Sequence, residues 1–167
     1  MSTSSPRSNR GHFHVDAPPD VVFPFFTAAG EREWAPGWDP TMLSGDTGRG
    51  SAFLTADPEG RRTAWVVTRY DASAQQVAYA RFAEGRSIGL VDVDCSPAES
   101  GGTTVTVRYT LSGVDADGDA FVADFLSESA FATMIAFWKD AVNAAIARAS
   151  EAARCMPPAS TGLAASR

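Results

Sequence analysis

FVADFLSESAFATMIAFWKDAVNAAIAR, residues Phe121–Arg148, is the stretch on which the fold turns. It contains no Gly or Pro and is rich in Ala, so helix propensity is high along its whole length. Stepping about 100° per residue from Glu128 places Phe131, Met134, Ile135, Trp138, Ala141, Val142 and Ala145 in one arc. Ser129, Thr133, Lys139, Asp140, Asn143 and Arg148 gather in the opposite arc. The spacing predicts one continuous helix over Phe121–Arg148, and a helix of roughly 25 residues is near 38 Å long, enough to cross a small sheet. Phe131, Met134 and Trp138 are expected to face that sheet.

Just before this stretch the period changes from helix to strand. Thr103–Leu111 (TTVTVRYTL) sets Val105, Val107, Tyr109 and Leu111 against Thr104, Thr106, Arg108 and Thr110. Ser87–Cys95, Gln76–Phe82 and Thr63–Asp71 also read as strands, and Val91, Val93 and Cys95 oppose Asp92 and Asp94. Such alternation describes an antiparallel sheet with one wet face. Short links such as Ser96–Gly102 favour a meander. Thr41–Ser44 and Ser51–Thr55 are shorter strand candidates on either side of the turn-forming Gly45-Asp46-Thr47-Gly48.

Further upstream, Arg10–Asp16 reads as a strand with Phe13 and Val15 on one face and His12 and His14 on the other. Ala17-Pro18-Pro19-Asp20 opens a helix, because Pro is tolerated in the first turn and Asp suits the positive end. Pro24 lies inside that helix and should kink or split it. Glu31–Trp34 looks like a second short helical turn, followed by the irregular Ala35–Pro40 (APGWDP). One domain over residues 10–150 is expected, with unfolded tails at 1–9 and 151–167. The end of the second tail, Met156–Arg167 (MPPASTGLAASR), has no apolar pattern to bury.

The 167 residues suit a single core, and 44% hydrophobic with 20% charged residues is an ordinary globular balance. A net charge of −6 argues against a nucleic-acid binder. Two cysteines, Cys95 and Cys155, imply no disulfide framework. Neither a membrane-spanning apolar run nor a signal-peptide pattern is present, so no membrane insertion is expected and the cytoplasm is the default compartment.

The order of elements and several local sequences carry a resemblance. Val15–Phe26 (VDAPPDVVFPFF), Trp65–Asp71 (WVVTRYD), Thr106–Leu111 (TVRYTL) and Phe131–Asn143 (FATMIAFWKDAVN) are similar to the SRPBCC superfamily. That superfamily includes START-related lipid binders, the birch pollen allergen and polyketide cyclase/dehydrase proteins. The resemblance implies an α+β helix-grip fold: a curved antiparallel sheet of about seven strands around a long C-terminal helix, with a short helix pair after the first strand. It also implies a cavity between sheet and helix.

Residues available to line such a cavity are Phe53, Trp65, Val67, Tyr79, Val107 and Tyr109 from the sheet and Phe131, Met134 and Trp138 from the helix. Trp34 and Trp38 are placed to form a lid. Aromatic walls suit flat or greasy ligands, with Trp N–H and Tyr O–H as polar handles. Arg69 shares the strand period of Trp65 and Val67, and Arg81 that of Val77 and Tyr79. If those faces are inward, either guanidinium can meet a carboxylate or enolate.

Catalytic patterns are sparse. His12 and His14 share a face but lack a third ligand nearby, and Asp115, Asp117 and Asp119 lack the rest of a calcium loop. No metal or cofactor is expected. Three functions stay open: binding of a hydrophobic or aromatic small molecule, a cyclase- or dehydrase-like enzyme without metal, and a chaperone-activator-like interaction protein. Only Tyr79, Tyr109 and the two arginines offer inward acid or base groups, which favours binding over catalysis. The outer face, with Asp92, Asp94, Thr104, Thr106 and Arg108, is expected to be polar, which disfavours the interaction protein. A homodimer is left open.

Overall fold

In the computed structural model, residues 5–156 are described. The chain runs β1 (Arg7–Val15), α1 (Pro19–Val22), two 3-10 turns (Phe23–Phe26 and Gly30–Glu33), and β2 (Thr41–Ser44). β3 (Ala52–Ala56), β4 (Arg62–Asp71), β5 (Gln76–Ala83), β6 (Ser87–Pro97) and β7 (Thr103–Gly113) complete the strands. Two helices follow, α2 (Ala116–Phe125) and α3 (Glu128–Cys155). All seven strands form one sheet in the order β1-β7-β6-β5-β4-β3-β2, with every neighbouring pair antiparallel.

The strand alternation becomes the two faces of this sheet. Val105, Val107, Tyr109 and Leu111 of β7 are buried, as are Val91, Val93 and Cys95 of β6 and Phe13 and Val15 of β1. These inward residues share one core with Phe131, Ile135, Val142, Ala145 and Ile146 of α3. α3 lies against β1 at Gly11, where a Cβ would come within 2.6 Å of the Ile135 side chain, so a larger residue would push the helix away. Pro24 acts as its missing N–H dictates. α1 stops at Val22 and the backbone tightens into a 3-10 turn from Phe23.

The single helix expected over Phe121–Arg148 is two helices, bent by 58° between Phe125 and Glu128. High propensity did not keep it straight, because Ser127 takes an extended conformation (φ −60°, ψ 152°) and its hydroxyl accepts from the Ala130 N–H at 3.4 Å. Capping of this kind starts a new helix. Asn9 donates its side-chain N–H to the Leu126 carbonyl at 3.0 Å, satisfying an acceptor at the break. α3 then runs unbroken past Thr133.

Three other expectations need correction. β1 begins at Arg7 and α3 continues to Cys155, so residues 7–9 and 151–155 are ordered, not tail. Pairing with β7 and the continuation of a helical ladder outweigh their polar composition. The remaining tail residues, 1–4 and 157–167, lie outside the described residues. Finally, the outer face of the sheet is not polar throughout. Val66, Phe82, Ile88 and Leu90 are 41–53% exposed, and the pairings Val66↔Ala80, Ala80↔Leu90 and Phe82↔Ile88 make them neighbours. In these strands both faces are apolar, so alternation does not reveal the patch. No single described helix is long and apolar enough to cross a membrane.

Candidate functional site

The inward aromatic residues divide into two stacks. Phe53 lies parallel to Trp65 at 5.9 Å, while Trp38 meets Trp65 edge-on at 5.5 Å and Tyr79 meets Phe53 edge-on at 6.0 Å. Register explains this stack, since Phe53 pairs with Trp65 and Val67 with Tyr79 across β3, β4 and β5. The second stack is Trp34 against Phe26 at 5.9 Å and against Trp138 at 5.0 Å. Trp138 is half-buried against the core, with its ring on Trp34 and, at 6.3 Å, on Phe26. Phe131 does meet the sheet, with its ring 6.0 Å from Tyr109, while Met134 is half-buried against the core.

Most of the expected polar handles are already occupied. Trp34 Nε1 donates to the Phe25 carbonyl at 2.7 Å, and Trp38 Nε1 donates to the Ala28 carbonyl at 2.8 Å. Trp65 Nε1 donates to Thr55 Oγ1 at 2.9 Å. The Tyr79 hydroxyl donates to the Phe26 carbonyl at 2.7 Å, and burial pushes its pKa well above the usual phenol range. Of these four, the Tyr79 bond joins the sheet to the Phe23–Phe26 turn, and it removes Tyr79 as a proton donor to any ligand.

The two arginines part company. A register shift between Val67 and Arg69 inserts an extra residue into β4, which rotates the following side chains by one face. Arg69 is therefore exposed and donates to Gln76 Oε1 at 3.1 Å. Tyr70 turns inward instead, 5.4 Å from Phe23. The expectation that Arg69 reaches the interior is thus overturned by a bulge that periodicity does not reveal.

Arg81 stays on the inward face, because β5 pairs with β6 without interruption. Its guanidinium carbon sits 5.3 Å from the centre of the Trp65 ring. Its Nε is buried and has no hydrogen-bond partner among the described residues. Burial lowers its pKa, with the Tyr109 hydroxyl opposing that effect and Arg86 adding to it. Opposite it in β6 stands Gly89, where a Cβ would fall 2.0 Å from the Thr110 carbonyl oxygen. Only Gly fits there, so no side chain from that position covers Arg81.

Tyr109 lies beside this cation with its ring edge-on to Phe125 at 5.5 Å. Among the described residues its hydroxyl has no hydrogen-bond partner. Burial pushes its pKa up to about 12; Arg81 pulls it down and Glu31 pushes it further up.

Glu31 is the site residue that the sequence reading missed. It lies in the second 3-10 turn, and burial pushes its carboxyl up to about 8. It also raises the pKa of Tyr79, so its charge is felt by both buried tyrosines. A signal was available: in a 3-10 turn residues i and i+3 eclipse, so Glu31 shares a face with the buried Trp34. The interior thus holds a carboxyl, a phenol and a guanidinium in an otherwise apolar wall.

Other candidates resolve as ordinary structure. His14 Nε2 pairs with Asp16 at 2.9 Å, and among the described residues no group of three or more His, Cys, Asp or Glu side chains could hold a metal. Asp115 caps α2, accepting from the Gly118 N–H at 2.8 Å.

Residues 8–152 match the sequence profile of the polyketide cyclase / dehydrase and lipid transport family. The chain belongs to this family. Its architecture is the helix-grip fold of the SRPBCC superfamily, with the seven-stranded sheet and long C-terminal helix that the resemblance implies. Solved structures of similar fold include the Zhui aromatase/cyclase from Streptomyces sp. R1128 (TM-score 0.69, 16% identity, covering 89% of this chain and 98% of that one). Norcoclaurine synthase from Thalictrum flavum aligns with TM-score 0.65 and 12% identity, over 87% of this chain and 88% of its own. An uncharacterized protein from Rhizobium leguminosarum aligns with TM-score 0.64 and 18% identity, over 89% and 99%. No curated protein sequence matches this family member. At these identities the structural likeness bears on fold and leaves the chemistry to the side chains.

Proposed function

We propose that this family member binds a hydrophobic, aromatic small molecule between the sheet and α3, and that the ligand carries an acidic or enolic oxygen. The observation that carries the reading is Arg81, an inward guanidinium with a buried, unpartnered Nε in electrostatic contact with the Tyr109 hydroxyl. A buried guanidinium N–H without an acceptor is costly, and an anionic oxygen on a ligand supplies what the protein lacks. The rings of Trp65, Tyr109 and Phe131 supply flat apolar contact around it. The family description, with both cyclase/dehydrase and lipid-transport members, is consistent with a lipid- or polyketide-like molecule.

The test is ligand-induced stabilisation, because a molecule that binds only the native state raises the melting midpoint by mass action. Flat aromatic carboxylic acids or phenols should raise it more than their methyl esters or ethers. In Arg81→Met that preference should disappear while neutral analogues bind as before, a loss of about tenfold or more for a charge-assisted hydrogen bond. Equal binding of acid and ester by the unaltered protein would sink the proposal.

Glu31 favours a second reading, a cyclase- or dehydrase-like enzyme. Such an enzyme needs an interior acid or base. A carboxyl that titrates near 8 is present in both forms close to neutrality. In its ionised form Glu31 can take a proton from carbon α to a carbonyl, with the enolate oxygen held by a cation. The same proton can then pass to a β-hydroxyl, which leaves as water. Glu31→Gln should abolish turnover of a β-hydroxy carbonyl substrate while leaving binding in place; loss of both together would reduce Glu31 to a packing role.

A further inference from the structure

β1 is an edge strand, hydrogen-bonded to β7 on one side only. A groove of about 560 Å³ runs along its open side, between Asn9–His14 and the face of α3 that carries Glu128, Ala132, Ala136 and Lys139. Long open edges invite pairing with another strand, and proteins normally block them. Here the blocking is partial, and its pattern is informative.

Two side-chain contacts reveal which peptide groups face the groove. The Arg10 N–H donates to Asn9 Oδ1 at 2.7 Å, and the His14 carbonyl accepts from Asn143 Nδ2 at 3.2 Å. In a strand, residues two apart direct their backbone groups to the same edge. His12 therefore faces the groove too. Between the two caps four groups have no partner among the described residues: the Arg10 carbonyl, the His12 N–H and carbonyl, and the His14 N–H.

We infer that this edge pairs with the β1 edge of a second copy of the chain, antiparallel about a two-fold axis at His12, joining two sheets into one. Antiparallel pairing about that axis brings His12 against its own mate, which exchanges two hydrogen bonds, and Arg10 against the mate's His14. The open Arg10 carbonyl then receives the open His14 N–H, twice by symmetry. The capped Arg10 N–H and His14 carbonyl would have been each other's partners, and both are satisfied already. The open set is thus self-complementary, as a two-fold interface requires.

The helix beside the strand agrees. Asn9 reaches Leu126, Gly11 lies under Ile135, and His14 meets Asn143, so α3 runs in the same direction as β1. The two-fold axis makes the two α3 helices antiparallel across the joint. Ala136, which is exposed, falls near the middle, where a small residue allows close approach. The same contacts put the axis close to Trp138 of α3, so the two Lys139 side chains come near one another and Glu128 lies well to the side.

Sedimentation equilibrium over a concentration series tests this on the full chain. The unaltered protein should form a monomer–dimer equilibrium. His12→Pro removes the two central donors from an edge position that tolerates Pro and should weaken association by about 30-fold, or about 2 kcal/mol. Ala136→Arg, on an exposed helix position, should do the same by steric and charge conflict, and it decides the matter if the Pro variant does not fold. Lys139→Ala, which relieves the like charges beside the axis, should strengthen association. A protein that stays monomeric throughout, even if it captures a foreign β-strand peptide, overturns the inference. So does a dimer indifferent to His12→Pro and Ala136→Arg, which would place the contact elsewhere.

Discussion

Two parts of the same interior treat their polar atoms in opposite ways. Under the lid, Trp34, Trp38 and Tyr79 each donate a hydrogen bond to a backbone carbonyl, and Trp65 donates to Thr55. At the Arg81 corner the buried Nε has no hydrogen-bond partner among the described residues. Burial costs the same kind of energy in both places, and only the first is compensated from within the chain. The lid rings are therefore structural, although they are aromatic and inward. The uncompensated corner is where something other than the chain itself is expected to supply the missing partners. Aromatic content alone does not mark a site, and the proposed one is drawn from unmet hydrogen-bonding capacity.

The largest effect that would sharpen this contrast is on the lid side. Trp34→Ala removes a buried ring that contacts Phe26 and Trp138 and should destabilise by about 3–5 kcal/mol in urea denaturation. A cost below about 1 kcal/mol would mean that the ring borders space, and the division would fail.

Next is the pH dependence at the open corner. Glu31 has a folded pKa of about 8 against an ordinary 4.5, so between these values the folded state holds a proton that the unfolded state has released. The folded state is thereby favoured least at high pH: the contribution is complete below about 4.5 and lost as pH rises through about 8. The slope from this one group cannot exceed about 1.4 kcal/mol per pH unit. Glu31→Gln should flatten the decline in stability over that window; an unchanged profile would show that Glu31 is solvated.

The smallest effect is the most direct comparison, the loss of one hydroxyl on each side. Tyr79→Phe orphans the Phe26 carbonyl and should cost about 1–3 kcal/mol. Tyr109→Phe removes a hydroxyl that has no partner and should change stability by less than about 0.5 kcal/mol. Equal costs would erase the distinction between the two corners.

Much of this molecule was legible beforehand, for reasons that differ by element. β7 announces itself because one face is dry and the other wet, which forces strict alternation. α3 was readable from Phe131 to Ala145 because a long amphipathic face must repeat every three to four residues. The break at Ser127 was not readable, since Ser127 and Ser129 within a Gly- and Pro-free stretch are compatible with a helix interior. Its capping bond and the Asn9 contact exist only once β1 and Leu126 are brought together. The same holds for the apolar patch at Val66, Phe82, Ile88 and Leu90, which pattern cannot assign where both faces of a strand are apolar.

The site follows this division. The amino-acid order determined the inward face where the strand period is unbroken, as for Trp65, Tyr79 and Tyr109, and left the face of Arg81 open. It also determined the helix-grip order of elements, because local propensity and hydrophobic period are properties of neighbouring residues. Only the tertiary structure decided that Arg69 turns out at the β4 bulge and that Tyr79 is spent on the Phe26 carbonyl. It alone placed Glu31 within electrostatic reach of Tyr109, a residue far along the chain. Desolvation and hydrogen-bond satisfaction depend on which distant segments meet, so no local pattern in the chain records them.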